Sequence, residues 1–193
     1  MTKALSDIRV VLASASPRRH ELLTRLVLSF DVIPARIDED IDGPPEEQVT
    51  ELAQTKARAV AAHEAGLIIG ADTLVAMGDR IFGKPTDEED ARAMLRALSG
   101  RDHRVLTGLC VVDTSSGCEV VACETTVVSI RSIDPRELDA YVASGEPMDK
   151  AGAYAIQGRG GLFVQRICGD YYNVVGLPLC RLSLMLRELG FVV

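Results

Sequence analysis

Residues 67–77 read Leu-Ile-Ile-Gly-Ala-Asp-Thr-Leu-Val-Ala-Met, an apolar run broken by a single charge. No face of such a segment can be left in water, so it is a strand buried on both sides, in a sheet covered by helices. The flanking sequence supplies both kinds of element by switching its period repeatedly. Residues 8–13 read as a buried strand, and Ser16-Pro17 opens a helix carrying Leu22, Leu23 and Leu26, with Ser16 as cap and Pro17 at the first helical position. Residues 30–33 read as a second strand. A helix over 46–63 has Val49, Leu52, Ala53, Ala57 and Val60 at helical spacing. After the long strand, Gly78-Asp79 marks a turn. Thr86-Asp87-Glu88-Glu89 forms a capping box for a helix bearing Ala91, Met94, Leu95 and Leu98, which Ser99-Gly100 stops. Two β-rich runs, 105–113 and 120–130, are joined by Thr114-Ser115-Ser116-Gly117 as an antiparallel hairpin. Asp134-Pro135-Arg136-Glu137 starts a capped helix with Leu138, Tyr141 and Val142, a glycine-rich stretch covers 145–161, and a last helix covers 179–189. The class is α/β, with a mixed twisted sheet flanked by helices. At 193 residues the chain has room for one compact domain, or two lobes around a cleft.

Composition removes several classes of function. Hydrophobic residues at 47% and charged residues at 25% exclude a disordered chain. With 21 Lys and Arg against 28 Asp and Glu, the net charge is −7, and no basic run offsets it. Nucleic-acid binders need a concentrated positive footprint, so none is expected here. The five cysteines contain no C-x-x-C pair and the three histidines are scattered, which argues for a reducing cytosol and against structural zinc. Nowhere do 18 apolar residues run together, so a soluble, cytoplasmic protein with no membrane partner is expected.

The chemistry shows where residues break the pattern around them. Arg18 and Arg19 occupy the first turn of a helix, where the dipole disfavours cations unless something negative compensates. Arg19 shares the spacing of Leu22, Leu23 and Leu26 and so points toward the packed side. With Ser14 and Ser16 in the preceding turn, the segment has the makings of a phosphate cradle; the ordinary alternative is two arginines pairing with acids such as Glu21. Lys56 falls on the apolar stripe of Val49, Leu52, Ala53 and Val60. A core-facing lysine needs a partner, and the alternative is a lysine at the stripe's edge whose ammonium reaches water. Asp72 interrupts the buried run, where a carboxylate must be satisfied or ligate a cation. Together with Glu39 and Lys84 it suggests a metal or general-base role. Glu39 itself lies in Asp38-Glu39-Asp40, which taken alone reads as a solvated loop.

The segment 78–85 has the spacing of a phosphate-binding P-loop up to its last residue, but Pro85 supplies neither the hydroxyl nor the N–H that such a loop needs. Lys84 remains as a phosphate-neutralising cation on a rigid Gly-Lys-Pro turn. Gly158-Arg159-Gly160-Gly161 lacks the dinucleotide fingerprint and reads as a turn.

Arginines and lysines for a polyphosphate, with carboxylates for a hard divalent cation, suggest nucleotide hydrolysis. In LASASPRRHELL, GADTLV, GKPTDEEDARAMLRALSG, YVASGEPMDKAGAYAIQGRGG and GDYYNVVGLPL the chain resembles the Maf-type nucleoside triphosphate pyrophosphatases over nearly its whole length. The resemblance implies one domain over residues 1–193, similar to the inosine triphosphatase-like fold, that cleaves the α–β phosphoanhydride of a nucleoside triphosphate. It implies Asp72 as the catalytic aspartate, with Glu39 and Lys84 beside it, and Ser14, Arg19, Lys56 and Lys84 at the phosphates. Magnesium or manganese would be held by Glu39 and Asp72. At Arg18, Thr73 and Gln157 the chain resembles the dTTP/UTP subgroup and not the subgroup acting on 7-methyl-GTP. A homodimer is implied by the same likeness. Two alternatives stay open at this level: a pyrophosphatase for 7-methyl-GTP or other modified nucleotides, and a non-enzymatic nucleotide-binding regulator of septum formation.

Overall fold

A computed structural model describes residues 3–39 and 41–192 of the chain. Asp40, in the acidic cluster noted above, lies outside the described residues. The strands β1 (Lys3–Ala4) and β2 (Val10–Leu12) are followed by helix α1 (Pro17–Leu23) and strand β3 (Asp31–Val32). Helix α2 (Pro45–Ala61) leads into the long strand β4 (Leu67–Met77), whose bounds are those expected from its apolar run. Strand β5 (Arg80–Phe82), helix α3 (Glu88–Leu98), and strands β6 (Asp102–Asp113) and β7 (Cys118–Ile130) come next. The chain then forms helix α4 (Pro135–Val142), strand β8 (Val164–Cys168), helices α5 (Tyr171–Val175) and α6 (Leu179–Glu188), and strand β9 (Phe191–Val192).

Seven strands hydrogen-bond in the order β3-β2-β4-β6-β7-β8, with β5 on β4. β2 runs parallel to both β3 and β4, while β5 is antiparallel to β4 and β8 to β7, so the sheet is mixed as expected. β1 and β9 form a separate parallel pair. Among the described residues no helix is long and apolar enough to cross a membrane.

The chain divides into two compact units. The first takes the residues up to Asp72, Thr107–Glu124, and those from Gly176 onward; the second takes Thr73–Leu106 and Thr125–Val175. The first has a core of Val11, Ala13, Ala53, Ala57, Val60, Ile68 and Cys110, with the apolar stripe of α2 facing β2, β4 and β6. Burial pushes the Cys110 thiol up to about 12, so it packs as an inert apolar group. In the second unit α3 and α4 bury the expected Ala91, Met94, Leu95, Leu98, Leu138, Tyr141 and Val142 against Val75, Phe82, Val105 and Val128.

Local rules hold with shifts of a residue or two. Ser16 caps α1 and Asp134 caps α4 in a full capping box, as expected. For α3 the cap is Asp87 instead of Thr86: Asp87 Oδ1 accepts from the Asp90 N–H at 2.8 Å, and Asp90 Oδ2 accepts from the Thr86 N–H at 3.0 Å. The strand expected over 8–13 is three residues long and follows a 3₁₀ turn at Leu5–Asp7.

Candidate active site

At two glycines of the sheet α2 comes close to the strand backbone. A Cβ added at Gly70 would stand 2.2 Å from the Ala53 carbonyl oxygen, and one at Gly108 on β6 would stand 2.0 Å from that of Val49. Glycine in a strand interior marks such a close approach. Residues two apart share a face of a strand, and residues three apart share a face of a helix. Contact between Gly70 and Ala53 therefore sets Asp72 opposite Lys56. Lys56 Nζ donates to Asp72 Oδ1 at 2.6 Å and meets Glu39 Oε1 at 2.7 Å. The lysine side chain is 9% exposed, the aspartate 16% and the glutamate 60%. A single ammonium thus stands between two carboxylates, one set in the sheet and one reaching in from an open loop.

Beside them, β2 ends at Leu12 and the chain turns through Ser14 and Ser16 into α1. The Arg19 N–H donates to Ser16 Oγ at 3.4 Å, and the Ser16 N–H donates to Ser14 Oγ at 3.3 Å. Arg19 as a whole is 9% exposed, and its guanidinium is held on three sides. Nε donates to the Gly176 carbonyl at 2.9 Å, and Nη1 donates to the Ala71 carbonyl at 2.9 Å and to Ser14 Oγ at 3.1 Å. Burial pushes its pKa down, Asp72 opposes that shift, Arg18 adds to it, and Glu39 opposes it again. Neutral carbonyls fix this guanidinium, and Asp72 and Glu39 provide its negative surroundings. Arg18 is half-buried on the same first turn.

Glu39 and Asp72 offer hard carboxylate oxygens on either side of a point already occupied by a cation. That donor set fits magnesium or manganese, which take one or two carboxylates and complete their shells with phosphate and water oxygens. Among the described residues no group of three or more His, Cys, Asp or Glu could hold a metal ion by itself. An ion held here would complete its coordination with substrate and solvent oxygens.

The structure thus brings Ser14, Arg19, Glu39, Lys56 and Asp72 together in the first unit. Thr73, Lys84 and Gln157 belong to the second. Thr73 follows Asp72 on β4 and points to the opposite face. Lys84 is exposed just after β5, and the neighbouring Gly83 carbonyl accepts from the Gly152 N–H at 3.1 Å. Gln157 is exposed on the loop before a 3₁₀ turn at Arg159–Phe163. Sequence reasoning missed the Ala71 and Gly176 carbonyls, because a main-chain acceptor leaves no trace in residue identity. It also missed Gly70, although a glycine within an apolar strand is a readable sign of close backbone approach.

A family model described as Maf-like protein matches residues 9–189. A protein of Thermococcus gammatolerans named dTTP/UTP pyrophosphatase is 52% identical over 182 residues, covering 94% of this chain and 97% of that one. One of the same name from Anaeromyxobacter dehalogenans is 51% identical over 187 residues, covering 95% of each. A solved nucleoside-triphosphatase / dITP/XTP pyrophosphatase from Mycobacterium abscessus is similar at a TM-score of 0.43 and 18% identity, covering 71% of this chain and 95% of that one, too weak a likeness to bear on function. With a family model spanning nearly every residue and about half of all positions shared with full-length relatives, the chain belongs to the Maf-like protein family.

Proposed function

We propose that the protein is a nucleoside triphosphate pyrophosphatase that hydrolyses dTTP and UTP to the monophosphate and pyrophosphate. The observation that carries this reading is the Lys56 ammonium between Asp72 and Glu39, beside a buried arginine. The names of the relatives supply the substrates.

In this mechanism Arg19 and Ser14 take phosphate oxygens. The Ser14 hydroxyl accepts two hydrogen bonds from the protein, which leaves its own proton to give. Lys56 and Lys84 neutralise the remaining charge of the triphosphate. Asp72 accepts a proton from the water that attacks the α-phosphorus: the new O–P bond forms as the bond to the β-phosphate oxygen breaks, and pyrophosphate leaves with that electron pair. Asp72 and Glu39 are the residues that would hold a magnesium or manganese ion, which when bound would add charge neutralisation at the phosphate oxygens. Catalysis of this kind depends on positioning and on preorganised charge. Fixing Arg19 with three acceptors before any ligand arrives meets that need. Gln157, whose amide both donates and accepts, reads the pyrimidine edge together with Arg18 and Thr73. The homodimer belongs to the same reading, by likeness alone.

Pyrophosphate release from dTTP, UTP, CTP, 7-methyl-GTP and ITP, with and without magnesium or manganese, tests the proposal. The expected result is metal-dependent release favouring dTTP and UTP, with Asp72→Asn slower by about a hundredfold or more. Full activity in folded Asp72→Asn would remove Asp72 from the chemistry. A preference for 7-methyl-GTP would overturn the roles of Arg18, Thr73 and Gln157, and binding without release would leave a regulator.

A further inference from the structure

Gln157 is exposed at the tip of a loop, and a residue that discriminates between bases cannot do so from a loop that wanders. The second unit contains a device that holds it. Glu146 follows Gly145 into a short 3₁₀ turn, and its half-buried carboxylate is directed at the main chain of this loop. Oε2 accepts from the Arg159 N–H at 3.0 Å, and Oε1 accepts from the Gly160 N–H at 3.1 Å. Oε1 also accepts from the Tyr141 hydroxyl at 2.9 Å, whose oxygen in turn accepts from the Ala155 N–H at 3.1 Å. Through these bonds one carboxylate grips the loop two residues before Gln157, by way of Tyr141, and two and three residues after it. The backbone of residue 158 is pressed against the same group: a Cβ at Gly158 would stand 2.3 Å from Glu146 Oε1.

The other end of the segment is also tied down. Gly152 and Ala153 both adopt left-handed backbone, with φ of 71° and 58°. Such a conformation in a non-glycine residue persists only where its surroundings enforce it. Here the Gly152 N–H donates to the Gly83 carbonyl, one residue before Lys84, and a Cβ at Gly152 would lie 3.1 Å from the Val75 side chain. The stretch from Glu146 to Gly160 is therefore anchored to the turn that carries Lys84 at one point and to its own carboxylate at the other. Burial raises the Glu146 pKa, but the Gly160 and Arg159 N–H groups, the Tyr141 hydroxyl and Lys150 outweigh it and hold the carboxyl below its ordinary range.

A half-buried carboxylate that spends itself on three such donors gains charge-assisted hydrogen bonds. What those bonds order is one loop, with Gln157 at its tip. We infer that Glu146 is a positioning residue for base selection, acting through the main chain of residues 155–160 to hold Gln157 in its reading position. This rests on the reading of Gln157 given under the proposed function.

The test compares Glu146→Gln, Tyr141→Phe and Gln157→Ala for kcat, KM and the ratio of dTTP to CTP turnover. It is joined by amide exchange at Arg159 and Gly160, read by NMR. An interaction made equally in ground and transition states raises KM and leaves kcat alone when it is lost. Glu146→Gln keeps the shape of the side chain but turns an N–H donor toward a backbone N–H. Its KM for dTTP should rise about tenfold with kcat within about twofold, the change expected for one lost hydrogen bond to the base. The dTTP to CTP ratio should fall toward that of Gln157→Ala, and the double variant should be no worse than Gln157→Ala alone. The Arg159 and Gly160 amides should exchange faster in Glu146→Gln. Tyr141→Phe, which keeps the ring, removes both bonds of the hydroxyl but leaves the Arg159 and Gly160 N–H groups on the Glu146 carboxylate, and should show the same pattern more weakly. Wild-type KM and selectivity in folded Glu146→Gln, or a double variant whose losses add, would overturn the inference. So would an unaltered KM and ratio in Gln157→Ala, while wild type still releases pyrophosphate. No release by wild type would instead sink the functional reading beneath it.

Discussion

His103 is 2% exposed, with Nε2 2.9 Å from the Tyr154 hydroxyl and its ring edge-on to that of Tyr154. Burial lowers its pKa from 6.5 to about 4, against a smaller opposing effect of Asp102. The folded protein thus refuses a proton that the unfolded chain takes up below about pH 6.5. Stability from this residue is complete above that pH and is lost as pH falls toward 4. Between pH 7 and 5 the loss from His103 alone amounts to about 2 kcal/mol. Urea unfolding at the two pH values should show it, and His103→Gln should flatten the difference; an equal slope in the variant would assign the pH dependence elsewhere. Single residues were also where the sequence spoke most clearly about the site. Lys56 on an apolar stripe demands a partner, and the structure supplies two. Asp72 in a buried strand demands the same. Glu39 gave no such signal, because an acid in a loop of acids reads as solvated. Its proximity to Lys56 arises from the course of the main chain, which residue type does not encode.

At the scale of elements, the position of Lys56 relative to Asp72 is set by the close approach of α2 to β4 at Gly70. Gly70→Ala forces a methyl group into the 2.2 Å gap to the Ala53 carbonyl, and a backbone atom cannot yield as a side chain can. The helix must lift, at a cost of about 1–3 kcal/mol. The Lys56 to Asp72 bond should lengthen with it, so activity should fall in a variant that is still folded. Thermal unfolding together with dTTP turnover checks this; a destabilised variant with full turnover would show that helix height does not govern the site. Long elements were legible because their burial is periodic: α2, α3 and α4 show their apolar stripes, and β4 its unbroken run. Strands β1, β8 and β9 were not. Two or five residues, mostly exposed, carry too little pattern to separate a strand from a loop, and their pairing depends on partners remote in sequence.

The whole molecule is assembled out of chain order. The first unit is gathered from three separate stretches, and the intervening residues build the second. The sequence foretold the class of fold, yet it contains no mark of where these stretches rejoin. Arg19 makes the point: it sits in the first helix, and its Nε is held by the carbonyl of Gly176, 157 residues further on. That bond has a consequence in time. Contacts between remote residues form late in folding, after the entropy of closing the intervening loops has been met. Helices and the β4 region can take shape early, but the arginine stays unfixed until the last stretch of the first unit comes home. On dilution from denaturant, helical circular dichroism should recover ahead of dTTP hydrolysis. If the two return together, the arginine is secured as early as the helices themselves.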